Sequence, residues 1–302
     1  MKNPVANALV AYRTWSLMRR YPGVFTLADA LMQIDRVLLP IRIYHRIARL
    51  ALRRCTRIEQ EPDGVWKICL LKHRLVFFWP QRPTFHTWYL IEQEFNPANP
   101  HCYTTHPVSL CRESVVIDVG ACEGLFAFRI VKNGMAKRVI CFEPFGTMAK
   151  LIRRGAASNG ISTALEVEAL AVGKTSGYVQ FTAAPEADSG SVANAKTDSN
   201  RACAVSLDDY CASRGIDLRP SDLIKIDAEG ADLDVLLGAE RIISETGPQI
   251  AVTTYHKDNH CEQIVEWLQS KQPRYRLRLK GFSFWTDRPR PVLLLASRQA
   301  TL

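Results

Sequence analysis

The sequence predicts an α/β fold in which a mostly parallel sheet carries helices on both faces. From Val115 onward, short β-branched apolar runs alternate with amphipathic segments, as in repeated strand–helix units. The first unit reads VVIDVGACEG, and the helical segment after it ends at Asn133-Gly134. Because parallel α/β sheets bind nucleotides where a helix begins after a buried strand, residues 115–134 contain the predicted ligand-binding turn.

Net charge divides the 302-residue chain into two unlike regions. Residues 1–110 hold 15 Lys and Arg against 7 Asp and Glu, a net charge of +8, whereas residues 111–302 hold 24 against 23. We therefore predict a basic N-terminal region over residues 1–110, built of helices and short strands, which covers the substrate or mediates homo-oligomerisation. Residues 111–302 form the predicted ligand-binding domain.

Composition predicts a cytoplasmic protein. No uncharged apolar run approaches the ~18 residues of a membrane-spanning helix. Residues 1–21 carry charges at both ends and lack the cleavage site of a signal peptide. The nine cysteines are scattered without a Cys-x-x-Cys pair, which is typical of a reducing compartment.

Three helices are predicted before residue 60. The first spans residues 4–20, and a capping box of Thr26 and Asp29 opens the second, from Leu27 to Ile34. The third begins at Pro40, and its arginines share one face: Arg42, Arg46, Arg49, Arg53 and Arg57. We interpret this face mainly as a solvated surface. The alternative is peripheral contact with an anionic membrane, and nucleic-acid binding is not expected.

The other predicted elements follow hydrophobic periodicity and turn residues. Strands are predicted over Val65–Leu70, Arg74–Trp79, Val115–Ile117, Arg138–Phe142, Thr163–Val172, Tyr178–Phe181, Ala202–Val205, Asp222–Ile226, Gln249–Thr254, Tyr275–Leu279 and Pro291–Ala296. Helices are predicted up to Ser158, over Leu207–Ser213, up to Leu237 and over Glu262–Ser270, with a short element over Trp88–Phe95. Residues 183–200, rich in Ala, Ser, Asp and Asn, are predicted to be a mobile surface loop.

The charge of the predicted turn indicates its ligand. Gly120 and Gly124 do not have the G-x-G-x-x-G spacing of a pyrophosphate-binding turn, and Glu123 between them repels phosphate. S-adenosylmethionine carries a sulfonium and an ammonium group, for which Asp118 and Glu123 are suitable counter-charges. We therefore expect S-adenosylmethionine as the cofactor, and NAD is disfavoured.

Polar side chains follow the predicted strands at the edge where such sheets bind ligands. Glu143 ends the second strand, where a carboxylate can accept hydrogen bonds from ribose hydroxyls. Asp227 and Glu229 follow the fourth strand, and Tyr255 and His256 follow the fifth. Acids or histidine at so many strand ends indicate a site rather than a solubilising surface.

Asp227, Glu229 and His256 are the predicted catalytic residues. His256 is expected to titrate near neutrality, which suits a general base, while Asp227 orients it or binds Mg²⁺ with it. Two structural alternatives stay open: Glu229 caps the following helix, or His256 is bonded to the backbone. His256, His260 and Cys261 have zinc-ligand spacing, but a second half-site is missing and zinc is not expected.

Residues 115–297 resemble the FkbM-type family of S-adenosylmethionine-dependent methyltransferases. The resemblance is carried by VVIDVGACEG, RVICFEPF (Arg138–Phe145), AVSLDDY (Ala204–Tyr210), LIKIDAEGADLDVLLGAE (Leu223–Glu240) and the Tyr255-His256 pair. It implies a class I methyltransferase fold, which is a seven-stranded, Rossmann-like and mostly parallel sheet with an antiparallel last hairpin.

The resemblance also implies a site and a reaction. The residues that would hold the methionine end of the cofactor lie in the turn: Asp118, Gly120, Ala121, Glu123 and Gly124. Glu143 would bind the ribose, and Ala169 and Leu170 would flank the adenine. Family members typically methylate hydroxyl groups, so the expected acceptor is a hydroxyl on a sugar, glycan or secondary metabolite. The alternatives are methylation of nitrogen or carbon, and a degenerate domain that docks on a membrane or protein partner.

Overall fold

Helices and a small antiparallel sheet form the N-terminal part of the computed structural model. The structure describes residues 4–32, 40–180, 201–283, 286 and 289–298. The N-terminal elements are α1 (Pro4–Arg20), α2 (Leu27–Ala30), α3 (Ile41–Cys55), β1 (Thr56–Gln60), β2 (Trp66–Leu70), β3 (Leu75–Trp79) and α4 (His86–Phe95). Strand β2 pairs antiparallel with both β1 and β3. Within the described ranges, no helix is both long and apolar enough to cross a bilayer.

The third helix ends earlier than the sequence predicts, and a strand follows it. The arginine pattern extends the helix to Arg57, but α3 ends at Cys55 because Thr56 adopts an extended conformation with φ −130° and ψ 153°. Thr56 begins β1, in which Arg57 lies opposite Cys69 of β2. Arg57 is therefore not on the arginine face of α3. The predicted capping box is confirmed at the start of α2, and the short element at residues 88–95 belongs to α4.

A seven-stranded sheet forms the centre of the molecule. Its strands are β4 (Val115–Val119), β5 (Arg138–Phe142), β6 (Leu165–Glu168), β10 (Leu223–Ile226), β11 (Gln249–Thr253), β12 (Tyr275–Phe282) and β13 (Pro291–Arg298). Their order is β12-β13-β11-β10-β4-β5-β6, and only β13 pairs antiparallel with its two neighbours. This is the predicted class I methyltransferase sheet, with its antiparallel last hairpin.

Apolar layers cover both faces of this sheet. Val116 and Ile117 are adjacent in β4 and point to opposite faces, yet both are fully buried. The helices of this part are α5 (Leu125–Lys132), α6 (Gly146–Asn159), α7 (Leu207–Arg214), α8 (Asp232–Leu237), α9 (Glu240–Glu245) and α10 (His260–Lys271). Helix α9 was not predicted; the others agree with the sequence pattern within a few residues.

A second small sheet consists of β7 (Ala171–Val172), β8 (Gly177–Gln180) and β9 (Arg201–Val205), in the order β7-β9-β8. Strands β8 and β9 confirm the two short strands predicted there. The loop predicted at 183–200 lies outside the described residues.

The N-terminal part packs directly on the central domain. The side chain of Asn159, at the end of α6, accepts a hydrogen bond from the N–H of Val76 (2.9 Å) and donates to its carbonyl (2.6 Å). Ile68 and Phe77 share an apolar cluster with Val116 of β4. These contacts join the small antiparallel sheet to α6 and to β4 of the central sheet.

Candidate active site

The turn after β4 requires glycine. Gly120 and Gly124 have φ values of +73° and +78°, a left-handed conformation that favours glycine. Gly120 also packs against the loop after β10, where an added Cβ would lie 1.9 Å from the carbonyl oxygen of Asp227. Ala121 is buried in the same turn. This close approach places the predicted cofactor turn beside the predicted catalytic loop.

Glu143 connects three strand ends. Its carboxylate accepts hydrogen bonds from the N–H groups of Cys122 (2.9 Å) and Phe145 (3.0 Å). Its own N–H donates to the carbonyl of Glu168 (3.0 Å), the last residue of β6. Ala169 and Leu170 follow Glu168 directly, so the predicted ribose and adenine residues lie at one edge of the sheet. Burial raises the pKa of Glu143 to about 7.

Asp118 is fully buried next to a cation of the protein itself. Lys225 Nζ, on β10, lies 2.8 Å from Asp118 Oδ1 and donates to the carbonyl of Gly120 at 2.8 Å. Burial opposes the charge of Lys225, but the carboxylates of Asp118 and Asp227 outweigh it and raise the lysine pKa. From the sequence, Asp118 is expected to be a counter-charge for the cofactor. In the structure, Lys225 already balances much of the negative charge of Asp118.

Two further acids surround the turn. Glu123 is buried, and burial raises its pKa. Glu94 reaches in from α4, with its Oε2 3.4 Å from Arg129 Nη2. Burial raises the pKa of Glu94 to about 7 in spite of this arginine. The turn is therefore lined by buried carboxylates that the protein neutralises only in part.

The three predicted catalytic residues lie together beyond β10 and β11. His256 Nε2 lies 3.6 Å from Asp227 Oδ1 and 3.6 Å from Glu229 Oε2. On the other side of the ring, His256 Nδ1 lies 2.9 Å from Asp232 Oδ2. Glu229 has φ +48°, an uncommon conformation for a residue other than glycine and one that is enriched at functional sites.

Neither structural alternative for these residues is observed. Helix α8 begins without a side-chain cap, so Glu229 does not cap it. Asp232 is the acid that bonds the local backbone, because it accepts from the N–H groups of Ala228 (2.9 Å) and Gly230 (3.2 Å). His256 is oriented by Asp232 and not by a carbonyl group.

The predicted titration of His256 near neutrality is wrong for this structure. Burial on its own lowers the pKa of an imidazole, but the hydrogen bond to Asp232 and the charges of Asp232, Asp227 and Glu229 raise it to about 9. Partial burial and the charge of Asp227 raise the pKa of Glu229, a shift that water limits because 61% of its side chain is exposed.

Tyr103 joins this group from the N-terminal part of the chain. Its hydroxyl donates to Asp227 Oδ2 at 2.7 Å, and its side chain is fully buried. Its ring centroid lies 5.2 Å from Lys225 Nζ. No motif or periodicity marks Tyr103 in the sequence, because it lies in an irregular segment among three prolines.

The zinc alternative is not assembled in the described part of the chain. The cluster of potential metal ligands found there consists of Asp227, Glu229 and His256. His260 Nδ1 instead lies 3.7 Å from Asp232, and Cys261 is buried in the apolar core. His260 and Cys261 are therefore not part of the Asp227, Glu229 and His256 cluster.

A family model, described as the methyltransferase FkbM domain, matches residues 118–277 of the 302 in the chain. The chain belongs to the FkbM methyltransferase family. All predicted site residues of this FkbM domain lie inside the matched range, whereas Glu94 and Tyr103 precede it. No curated protein matches the chain.

Solved structures similar to this FkbM domain include other methyltransferases. The methyltransferase FkbM from Methylobacillus flagellatus KT is 21% identical, with a TM-score of 0.48 over 70% of this chain. The match spans about half (54%) of the Methylobacillus chain. An rRNA methylase from Streptococcus thermophilus is 15% identical, with a TM-score of 0.39 over 63% of this chain and 90% of its own. M. capricolum TrmK, in complex with S-adenosyl-homocysteine, is 10% identical, with a TM-score of 0.38 over 63% and 64%.

Proposed function

We propose that this chain transfers a methyl group from S-adenosylmethionine to a hydroxyl group of a small molecule or glycan. The observation that carries the proposal is the set of buried carboxylates at the glycine turn. Burial raises the pKa values of Glu123 and Glu143, and the charge of Asp118 raises them further. A positively charged ligand would reduce the repulsion between these buried carboxylates, whereas the diphosphate of NAD would increase it.

The residues of the turn fit the cofactor along its length. Gly120, Ala121 and Gly124 would hold the methionine end through their backbone, since protein atoms occupy the space where a Cβ on either glycine would lie. Glu143, at the end of β5, would accept hydrogen bonds from the ribose, and Ala169 and Leu170 would lie beside the adenine. When bound, S-adenosylmethionine supplies a methyl group on a positively charged sulfur.

Asp227, Glu229 and His256 would act on the acceptor. The acceptor oxygen must approach the methyl group in line and lose its proton, and positioning supplies much of such a rate enhancement. Glu229 is the most accessible of the three, and Tyr103 and Asp232 hold Asp227 and His256 in place. These groups lie beside Gly120, so an acceptor held by them would face the cofactor turn.

Calorimetry with purified protein tests the cofactor first. We expect S-adenosylmethionine to bind and NAD not to bind, and binding of NAD alone would overturn the proposal. Incubation with a library of hydroxyl acceptors then tests the reaction. His256→Ala should lower turnover at least tenfold while cofactor affinity stays within about twofold, and Glu245→Gln, remote on α9, should change neither. Methylated nitrogen or carbon in the product would correct the assignment of the acceptor atom.

A further inference from the structure

His256 presents a buried nitrogen that has no partner. Its side chain is only 7% exposed, and its Nε2 makes no hydrogen bond with any described residue. The two carboxylate oxygens that face it are 3.6 Å away, which is longer than a hydrogen bond. Burying a polar nitrogen without a partner destabilises a fold, so its retention here indicates a ligand.

The geometry around this nitrogen fits one metal ion. Asp227, Glu229 and His256 each offer one ligand atom, and these three atoms lie within 4.8 Å of one another. Ligands about 2.1 Å from an octahedral ion are spaced about 3 Å apart, so small side-chain movements would bring all three into contact. Three carboxylates surround the single imidazole, since Asp232 adds its charge from behind.

Asp232 supplies the support that metal-binding histidines usually have. A ligating histidine commonly donates its other ring N–H to a carboxylate, which fixes the ring. Asp232 is itself held by Ala228, Gly230 and Thr253, whose Oγ1 donates to it at 2.9 Å. The ring of His256 is thereby fixed with Nε2 directed toward Asp227 and Glu229.

We propose that Asp227, Glu229 and His256 bind one divalent cation of the Mn²⁺ class, with Asp232 as the positioning residue. The imidazole makes the site less suited to Mg²⁺, which prefers oxygen ligands, and the two carboxylates suit Mn²⁺. If the proposed methyl transfer holds, on which this role rests, the ion would bind the acceptor hydroxyl and lower its pKa, and the proton would pass to solvent beside the exposed Glu229 side chain as the methyl group leaves the sulfur.

Mn²⁺ titration followed by electron paramagnetic resonance tests the site without cofactor or acceptor. Protein that has been stripped of metal with EDTA and then freed of the chelator should bind one equivalent of Mn²⁺, seen as loss of the resonance signal of the free ion. Asp227→Asn and His256→Ala should each weaken binding at least tenfold, and Asp232→Asn about 10–100-fold. Glu245→Gln is the matched control and should bind as the parent does. Circular dichroism checks that each variant is folded.

The outcomes separate this proposal from the proposed function. Absence of Mn²⁺ binding by the parent, or equal binding by a folded Asp227→Asn variant, would overturn the metal site. Full methyl transfer in EDTA would also overturn its role and leave the methyltransferase proposal standing. Mn²⁺ binding by a protein that does not bind S-adenosylmethionine would support the site and overturn the proposed function.

A separate observation concerns the surface of α3. Ile43, Ile47 and Leu50 share one stripe of this helix and are 42%, 51% and 44% exposed. The helix packs on the protein through a different stripe, which contains the buried Ala48 and Leu52. The stripe of Ile43, Ile47 and Leu50 is therefore not the one that the fold buries.

Arginines flank this exposed apolar stripe. Arg42, Arg46, Arg49 and Arg53 recur at intervals of three and four residues, which places them on a neighbouring face. From Arg36 to Ile58 the sequence contains no Asp or Glu. A cationic face next to exposed Ile and Leu is the pattern of helices that lie in the interface of an anionic bilayer.

We further propose that α3 binds the surface of membranes that contain anionic lipids. The test is flotation of the full chain with vesicles of phosphatidylcholine, with and without added phosphatidylglycerol. Only the anionic vesicles should carry the protein, and added salt should weaken binding. Ile43→Ser/Ile47→Ser and Arg46→Gln/Arg53→Gln should each reduce binding at least tenfold. Leu71→Ser, which removes a 56% exposed leucine elsewhere, should have no effect.

Several results would overturn this assignment. Failure of the parent protein to float with anionic vesicles is one such result, and equal flotation of the Ile43→Ser/Ile47→Ser variant and the parent is another. Gel filtration adds a third outcome: a dimer that this variant dissociates would assign the stripe to a second copy of the chain.

Discussion

The contact between Gly120 and the loop after β10 can be tested with a single added methyl group. In Gly120→Ala, the new Cβ would lie 1.9 Å from the carbonyl oxygen of Asp227 and 2.9 Å from its carbonyl carbon. Both are backbone atoms, so the overlap cannot be relieved by rotating a side chain. Either the glycine turn or the loop that carries Asp227 and Glu229 has to move.

The expected cost has two parts. Placing alanine at φ +73° costs about 1–2 kcal/mol, and overpacking against the backbone adds about 1–3 kcal/mol. Gly160→Ala is a matched control, because Gly160 has φ +68° and an added Cβ would meet no atom within 4 Å. Gly160→Ala should therefore lower the free energy of unfolding only by the cost of the left-handed conformation, about 1–2 kcal/mol.

Urea unfolding followed by circular dichroism measures both variants, with the slope m compared to confirm a similar transition. We expect Gly120→Ala to be less stable than Gly160→Ala by about 1–3 kcal/mol. Calorimetry should show at least a tenfold loss of S-adenosylmethionine affinity only in Gly120→Ala. Equal stability and equal affinity of the two variants would refute the packing of the turn against Asp227.

Three other predictions concern buried charges. Lys225→Met should lower the free energy of unfolding by about 3–5 kcal/mol, because it leaves Asp118 buried without a cation. Adding Asp118→Asn to this variant should restore part of the lost stability, as measured by urea unfolding. Cofactor affinity should rise from pH 6 to pH 8 as Glu143 loses its proton near pH 7. In calorimetry, the affinity of Glu143→Gln should not change with pH over this range. If the affinity of the variant rose with pH as steeply as that of the parent, Glu143 would have no role in ribose binding. Burial lowers the pKa of Lys280 from 10.5 to about 8. Between pH 8 and pH 10.5 the unfolded chain therefore holds a proton that the folded chain has lost, and the free energy of unfolding rises with pH by about 3 kcal/mol. Lys280→Met should lack this rise in pH-dependent unfolding, and retention of the rise would assign it to other groups.

The edge of the sheet was predictable because it depends on local patterns. Val116 and Ile117 are fully buried, as expected of an apolar run covered on both faces. Parallel strands align their carboxyl ends, so acids that follow separate strands converge, as Glu143 and Asp227 do around Gly120. This alignment explains why the predicted site residues lie together in the fold.

The charge balance inside the site was less accessible from the sequence. Lys225 stands in an otherwise apolar strand, which signals a need for a buried partner. Its partner is Asp118, directly opposite in the neighbouring strand β4. Pairing them requires knowing that β10 lies beside β4, and strand order is not a local property of the chain. The raised pKa of His256 has the same origin, because it depends on three carboxylates that follow the neighbouring strand β10: Asp227, Glu229 and Asp232.

Tyr103 shows that the two halves of the chain form one site. Its hydroxyl bonds to Asp227, inside the family-matched region, while Tyr103 itself precedes that region. Glu94 enters from the same side and pairs with Arg129 of α5. In the proposed function, the strand ends of the family domain would hold the cofactor, and Asp227, which would act on the acceptor, is held by Tyr103 from outside that domain. Because the outside segment is the part that the family model does not cover, it is the natural place for acceptor selectivity to be set.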